Sequence, residues 1–340
     1  MKKEELKNLL RSRNGYLKSG IPKLVSLFNI KYNDAKDAVN EVKEELAMEY
    51  IDSKTNVVTS DLMREFLEWQ AQKKVAIVAQ TPVDVNETPA LKDQVGMHIM
   101  LGCSHVPFEN KIMHSGIKNL IKDYSEQIKG FHLMGDFLDL NSLSSHDKGK
   151  FTAIKDLTLD TEYKAGNKLL NEFDEILPKK CWKTYLYGNH EDRYFRWMKV
   201  QENAKTPLVS PTQALKLKQR GYQVKESWSQ DSFTIGKHLE IFHGIYYNVH
   251  SAKKHMDAFR GSCMYVHTHR IQTYIEGNTG SFNIGAGANF DSAAFGYASR
   301  GMKSQWQNGF AIVNIDEKGS YYVTQIICQN GKFFFGGKQY

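Results

Sequence analysis

Five short runs of this chain share one design: an apolar, strand-forming stretch that ends on side chains able to bind a metal ion. They are Leu101-Gly-Cys-Ser-His-Val-Pro-Phe108, Gly135-Asp-Phe-Leu-Asp139, Gly188-Asn-His-Glu191, Phe242-His-Gly244 and Val266-His-Thr-His269. Open α/β sheets gather their chemistry beyond the carboxyl ends of the strands, where successive loops converge. Five such junctions in order therefore predict one site assembled from several strand ends. The donors are the imidazoles of His105, His243, His267 and His269, the Asp136 carboxylate and the Asn189 amide oxygen. This mixture of nitrogen and hard oxygen suits Mn²⁺, Fe²⁺ or Zn²⁺ better than Ca²⁺ or Mg²⁺. One carboxylate at a strand end can bridge two ions about 4 Å apart, and such a pair clamps a phosphate and ionises the water between them.

The surrounding pattern agrees. From His98 onward, strand candidates at 98–102, 131–134, 182–187, 239–242, 263–266, 281–284 and 309–315 precede an aromatic run at 321–335. Helices are predicted over 112–127 and 160–177. Two βαβ units followed by a strand-rich half predict an α/β sandwich of two mixed sheets flanked by helices. The segment 195–231, with Trp197, Leu215, Leu217 and Trp228, is too long for a simple loop and is expected to form a helical cap near the site.

Residues 1–75 read as a small all-α domain. Leu6, Leu9 and Leu10 make one apolar stripe, and Ile21, Leu24, Val25 and Phe28 a second at helical spacing. Asn33 is placed to cap a helix carrying Ala35, Val39, Val42 and Leu46, and a further helix is expected around 60–72. Two short helices joined by a tight turn satisfy the geometry of a helix-turn-helix. Charge runs against firm seating in a DNA groove: residues 1–33 hold eight Lys/Arg and two acids, whereas 34–75 hold six and ten. Residues 76–96 lack helical period, contain two prolines and read as a linker to a catalytic domain over 97–340.

Several classes are set aside. No apolar run approaches the roughly 18 to 20 residues of a membrane span, and the N-terminus has no apolar core of a secretory signal, so a cytoplasmic protein without a membrane partner is expected. Cys103, Cys181, Cys263 and Cys328 are scattered with no Cys-x-x-Cys pair, which excludes a disulfide framework and a cysteine-rich zinc module. The net charge of +7 is compatible with a polyanionic partner.

In their order and spacing the five runs resemble the calcineurin-like metallophosphoesterases, whose pattern is Asp-x-His, Gly-Asp-x-x-Asp, Gly-Asn-His-Glu/Asp, a lone His, then Gly-His-x-His. The resemblance covers about residues 98–275. The phrases His105-Val-Pro-Phe and Gly-Asn-His-Glu-Asp-Arg193 look most like phage and bacterial members described as DNA-repair phosphoesterases or exonucleases, which would place a phage-encoded chain in the host cytoplasm. By position, the resemblance implies that His105, Asp136 and His269 hold one ion with Cys103 as fourth ligand. It implies that Asp136, Asn189, His243 and His267 hold the other. His190 would protonate or stabilise the leaving oxygen, oriented by Asp139, and Arg193 would neutralise phosphate charge.

Two positions depart from the family pattern. Val266 stands for Gly and supplies no ligand, whereas Cys103 stands for the usual Asp. A thiolate there would shift that ion toward Zn²⁺ or Fe²⁺ and away from Mn²⁺. The expected function is hydrolysis of a phosphodiester by a metal-bridging hydroxide, nucleic acid ranking first as substrate and DNA ahead of RNA. Alternatives are a phosphomonoesterase or protein phosphatase, and a binding or structural protein that lost full metal occupancy through Cys103. Outside the five runs, His132 and His238 read as structural or solvated, and Lys253 and Lys254 as a solvated face.

Overall fold

The computed structural model describes residues 2–12, 21–31, 33–35, 37–39, 42, 88–144, 154, 157–200 and 208–340. The chain divides into two compact units, Met1–Thr81 and Pro82–Tyr340. In the first, helices α1 (Lys3–Ser12) and α2 (Ile21–Phe28) bury Leu6, Leu10 and Leu24 with Ile30, Ala35, Ala38, Val39 and Val42. Leu6 and Leu10 lie four residues apart, one above the other on a helix face, which is why they share this core. The helix expected at 60–72 and the start of the linker lie outside the described residues. The end of the linker holds a four-residue helix, α3 (Leu91–Gln94).

The second unit is mixed α/β, with two multi-stranded mixed sheets flanked by helices. Its elements begin with β1 (Gly96–Leu101), α4 (Lys111–Asp123), β2 (Ile128–Met134), α5 (Leu159–Asp174), β3 (Trp182–Leu186), α6 (Asp192–Met198), α7 (Pro211–Ala214) and β4 (Tyr222–Lys225). They continue with β5 (Phe233–Ile235), β6 (Leu239–Ile241), α8 (Ser251–Phe259), β7 (Ser262–Tyr265), β8 (Ile271–Glu276) and β9 (Thr279–Ile284). The chain closes with α9 (Arg300–Lys303), β10 (Gly309–Ile315), β11 (Tyr321–Ile327), β12 (Phe334–Phe335) and β13 (Lys338–Gln339). One sheet has the order β11-β10-β1-β2-β3-β4, the other β5-β6-β7-β9-β8, and β12 pairs with β13. Strands β1 to β4 are parallel, so their carboxyl ends lie along one edge. In the second sheet β6 and β7 are parallel and point their ends together too.

Side-chain alternation sorts the core into layers. On β1, Ile99 and Leu101 join Ile117 and Leu120 of α4 and Leu170 and Phe173 of α5, while Met100 faces the other way. Met100, Met134, Leu186 and Val313 meet Ile235, Ile241, Met264 and Ile284, forming the layer between the sheets. Each such side chain contributes about 1.5–3 kcal/mol by leaving water.

Two histidines interrupt this layer. His98 Nε2 donates to the Gln94 carbonyl at 2.7 Å, His98 Nδ1 lies 2.9 Å from His132 Nε2, and His132 Nδ1 lies 2.9 Å from the Thr184 hydroxyl. Because a carbonyl only accepts, His98 Nε2 carries a hydrogen; in the neutral ring Nδ1 then accepts from His132 Nε2, and His132 Nδ1 accepts from the Thr184 hydroxyl. His132 is thus structural, as expected, with His98 as its partner. Burial lowers His98 to about 4 and His132 well below its ordinary value. The unfolded chain therefore takes up protons near pH 6.5 that the folded one refuses until about 4 or lower. Stability is expected to fall as pH drops through this window, by up to about 1.4 kcal/mol per unit for each ring. Urea titrations of wild type and His98→Gln between pH 7 and 4.5 test this; equal slopes would refute it.

The segment 195–231 differs from the expected cap. Over its described residues it contains the end of α6, the four-residue α7 and the strand β4. Tyr222 and Val224 pair with β3 and extend the first sheet by an edge strand, a fate decided by register rather than by local pattern.

Candidate metal centre

Every expected ligand stands on the loop that leaves a strand end: Cys103 and His105 after β1, Asp136 after β2, Asn189 after β3, His243 after β6, and His267 and His269 after β7. The loops turn sharply there. Among the described residues ten non-glycines have positive φ, and five of them are Cys103, His105, Asp136, His267 and His269, at 48° to 66°. A left-handed conformation at a non-glycine residue is strained by about 1–3 kcal/mol, and such strain clusters where side chains must be aimed. Two glycines admit the crossing loops. A Cβ on Gly188 would stand 2.1 Å from Asp136 Oδ1, and one on Gly135 2.5 Å from His243 Nδ1. Gly102 would meet Val266 at 2.8 Å, so the valine occupies the space that glycine leaves.

The seven side chains converge. His243 Nε2 lies 3.3 Å from Asp136 Oδ2, 3.0 Å from Asn189 Oδ1 and 3.2 Å from His267 Nδ1. His105 Nε2 lies 3.1 Å from His269 Nε2 and 3.8 Å from Asp136 Oδ2. Donor atoms of Cys103, His105 and His269, of Cys103, Asp136 and His243, and of His105, Asp136 and His190 each fall within 4.8 Å of one another. Ligands bound at about 2.0–2.2 Å to a common ion stand about 3.0–3.5 Å apart, the spacing of these contacts except His105 to Asp136, which is wider at 3.8 Å. Asp136 Oδ1 is occupied by the His190 peptide N–H at 2.8 Å. Oδ2 is left between the two clusters.

The remaining ring nitrogens support a cation site. His243 Nδ1 donates to the Met134 carbonyl at 2.9 Å, and His105 Nδ1 to Asp139 Oδ2 at 3.1 Å. Each bond leaves Nε2 as the nitrogen turned into the site, as for metal-binding histidines, and the Asp136 carboxylate raises His243 against the effect of its burial. His269 Nδ1 is buried without a partner. Burial pushes the Asp136 carboxyl up, but His243 beside it outweighs that and holds Asp136 ionised. Burial and the Asp136 charge raise the Cys103 thiol well above its usual range, and the His267 N–H that reaches its Sγ at 3.3 Å only partly offsets them. A cluster of imidazole nitrogens around one carboxylate, with a thiol that needs a positive neighbour to ionise, fits divalent ions.

Two assignments implied by the resemblance change in detail. Asp139 orients His190 through its main-chain carbonyl, 2.7 Å from Nδ1, while its carboxylate serves His105. His190 is lowered to about 3 by burial, then by Arg193. With Nδ1 donating to a carbonyl, Nε2 is an acceptor 3.4 Å from Arg193 Nη2, so this ring accepts a hydrogen bond there. Arg193 donates to Asp139 O at 2.9 Å and approaches Asp139 Oδ1 at 3.4 Å, which places its charge beside the site.

Two features were not foreseen from the sequence, Glu191 as a frame and an aromatic wall on His269. Glu191 sits at the end of a recognised run yet was assigned no task; its oxygens accept Asp136 N, Gly188 N, Leu138 N and the Tyr185 hydroxyl at 2.8–3.0 Å. It ties the loops after β2 and β3 into one frame. Phe290, Phe295 and Trp306 pack on His269 at 4.8–5.9 Å. On the opposite cluster Trp228 lies 6.0 Å from His267 and 6.4 Å from His243. Only the density of aromatics at 290–306 could have signalled the first wall.

No protein-family model matches the chain, and no curated protein matches it. Among solved structures, it is similar to Vacuolar Protein Sorting 29 from Cryptosporidium parvum, with TM-score 0.39 and 11% identity over 72% of this chain and 95% of that one. A predicted phosphoesterase from Streptococcus pneumoniae TIGR4 gives TM-score 0.30 and 13% identity over 72% and 97%. Wild-type Vps29 complexed with Zn²⁺ from Entamoeba histolytica gives 0.27 and 11% over 51% and 86%. At this level of similarity the chemistry has to be read from the chain's own residues. No helix among the described residues is long and apolar enough to cross a membrane.

Proposed function

We propose that this chain is a two-metal phosphoesterase that hydrolyses a phosphodiester, with nucleic acid as the substrate class and DNA ahead of RNA. The observation that carries the reading is Asp136 Oδ2, held between His243 Nε2 at 3.3 Å and His105 Nε2 at 3.8 Å. One oxygen shared by two imidazole clusters is what a bridging carboxylate requires. Asn189, His243 and His267 would complete one ion's protein ligands, and Cys103, His105 and His269 the other's. When bound, two divalent ions such as Zn²⁺, Fe²⁺ or Mn²⁺ supply Lewis acidity and an ionised water. Arg193 stands beside them to neutralise phosphate charge. His190 Nε2 would take up the proton of the attacking water and return it to the leaving oxygen, and Asp139 holds that ring and His105 in place. Elemental analysis together with a chromogenic phosphodiester assay tests the proposal: two equivalents of metal and metal-dependent turnover are expected.

Cys103 favours a second reading, a protein of partial metal occupancy. Its thiol is fully buried and shifted toward the protonated form, which weakens one cluster unless a thiophilic ion ionises it. Cys103→Asp is expected to raise the ratio of Mn²⁺- to Zn²⁺-supported activity by about tenfold, because a carboxylate prefers the harder ion. A protein with under one equivalent of metal and no turnover, in both forms, would instead identify a binding protein.

A further inference from the structure

The Asn189–His243–His267 cluster has two neighbours whose chemistry the hydrolytic step does not use. Trp228, on the loop that leaves β4, lies over His267 with ring centroids 6.0 Å apart and planes tilted by 36°, and it remains partly exposed. Arg196 is one turn of α6 beyond Arg193. Its Nη2 donates to the main-chain oxygen of Asn189 at 2.7 Å, and its Nε pairs with Asp192 at 3.0 Å. The Arg196 side chain is nevertheless 51% exposed. An indole therefore packs on two of these ligands, His267 and His243, and a fixed guanidinium holds the main chain of the third, Asn189.

An exposed arginine on a helix is usually a solvated charge, and an indole against a histidine is usually packing. What sets these two apart is that each touches a member of one ligand cluster, Trp228 the His267 and His243 rings and Arg196 the main chain of Asn189. Arg196 is held at two of its nitrogens, so little side-chain freedom is lost when it meets an anion. A guanidinium matches phosphate geometry, and every nucleobase has a π-face that stacks on an aromatic ring regardless of sequence. A phosphoprotein or an alkyl phosphomonoester would present neither a base nor a second phosphate.

We propose that Trp228 and Arg196 form a nucleotide subsite beside the second ion position, the indole stacking on a base and the guanidinium holding the phosphate next to the scissile one. This rests on the phosphodiesterase reading above and narrows its substrate to a nucleotide chain of at least two phosphates.

The test uses the full chain with Trp228→Ala, Trp228→Phe and Arg196→Ala. Trp228→Ala is expected to lower the ratio of kcat/KM for a thymidine dinucleotide over that for glycerophosphoethanolamine by about tenfold, through KM. Arg196→Ala is expected to lower the preference for a 5′-phosphorylated over an unphosphorylated dinucleotide by about five- to tenfold. Tryptophan emission should change with AMP and not with inorganic phosphate. Trp228→Phe, which leaves four of the five tryptophans, should lose that change. Unchanged ratios in both variants, or no AMP-dependent emission change in the wild type, overturn the subsite while leaving the phosphoesterase in place. If the wild type hydrolyses none of these diesters, the functional reading fails by itself. The AMP titration then decides alone: emission change lost in Trp228→Phe supports the subsite, and its absence removes it.

Discussion

Asp136→Asn is expected to lower phosphodiester turnover by on the order of 10³ or more, and bound metal from two equivalents to one or fewer. The reason lies in the charge balance of the site. Asp139 is committed to His105 and Glu191 to peptide N–H groups, so Asp136 is the carboxylate left to face both clusters. Without it, two dications would rest on imidazoles, an amide and one thiol. Losing the several kcal/mol that a bound ion contributes to the transition state accounts for the rate. The asparagine can still accept the His190 N–H that now reaches Oδ1 at 2.8 Å, so the fold should persist. Circular dichroism and elemental analysis on the same sample separate the two effects. A variant that keeps both ions and turnover within tenfold of wild type would show that Asp136 does not bridge the two metals.

The second large effect concerns stability. Glu191 is fully buried, and its two oxygens receive three peptide N–H groups and one phenol. Burial first, then the Asp136 charge, raises its carboxyl, while the N–H groups of Leu138 and Gly188 pull the other way. Glu191→Gln exchanges one acceptor for an NH₂ that confronts two donors. Each buried donor left unpaired loses about 1–3 kcal/mol, and because the Tyr185 hydroxyl can turn to accept from the NH₂, one such loss, about 1–3 kcal/mol, is expected. It is drawn from a domain's usual margin of about 5–15 kcal/mol. Urea denaturation should show a clearly lower midpoint, with metal binding weakened as Asp136 and Gly188 lose their common anchor. A midpoint equal to wild type would mean that the four bonds are dispensable.

The chain's own residue order determined a good deal. Short apolar segments ending on His, Asp or Asn announced β1, β2, β3, β6 and β7 and the side on which their loops would meet, because strand length and alternation are local properties. The helices α4 and α5 were legible for the same reason, and so was the choice of donor atoms. Strands β4 and β8 were not legible, since edge strands carry polar residues such as Gln223 and Thr273 and show little periodicity. Tertiary structure alone decided which nitrogens face one another: His105 and His269 meet at 3.1 Å although 164 positions separate them. It also decided that Asp139 holds His190 by its carbonyl, that five ligand-bearing residues adopt left-handed backbone, and that Glu191 ties two loops together. Such facts follow from the register of parallel strands and the crossing of their loops, and a residue's own neighbours in the chain carry no record of either.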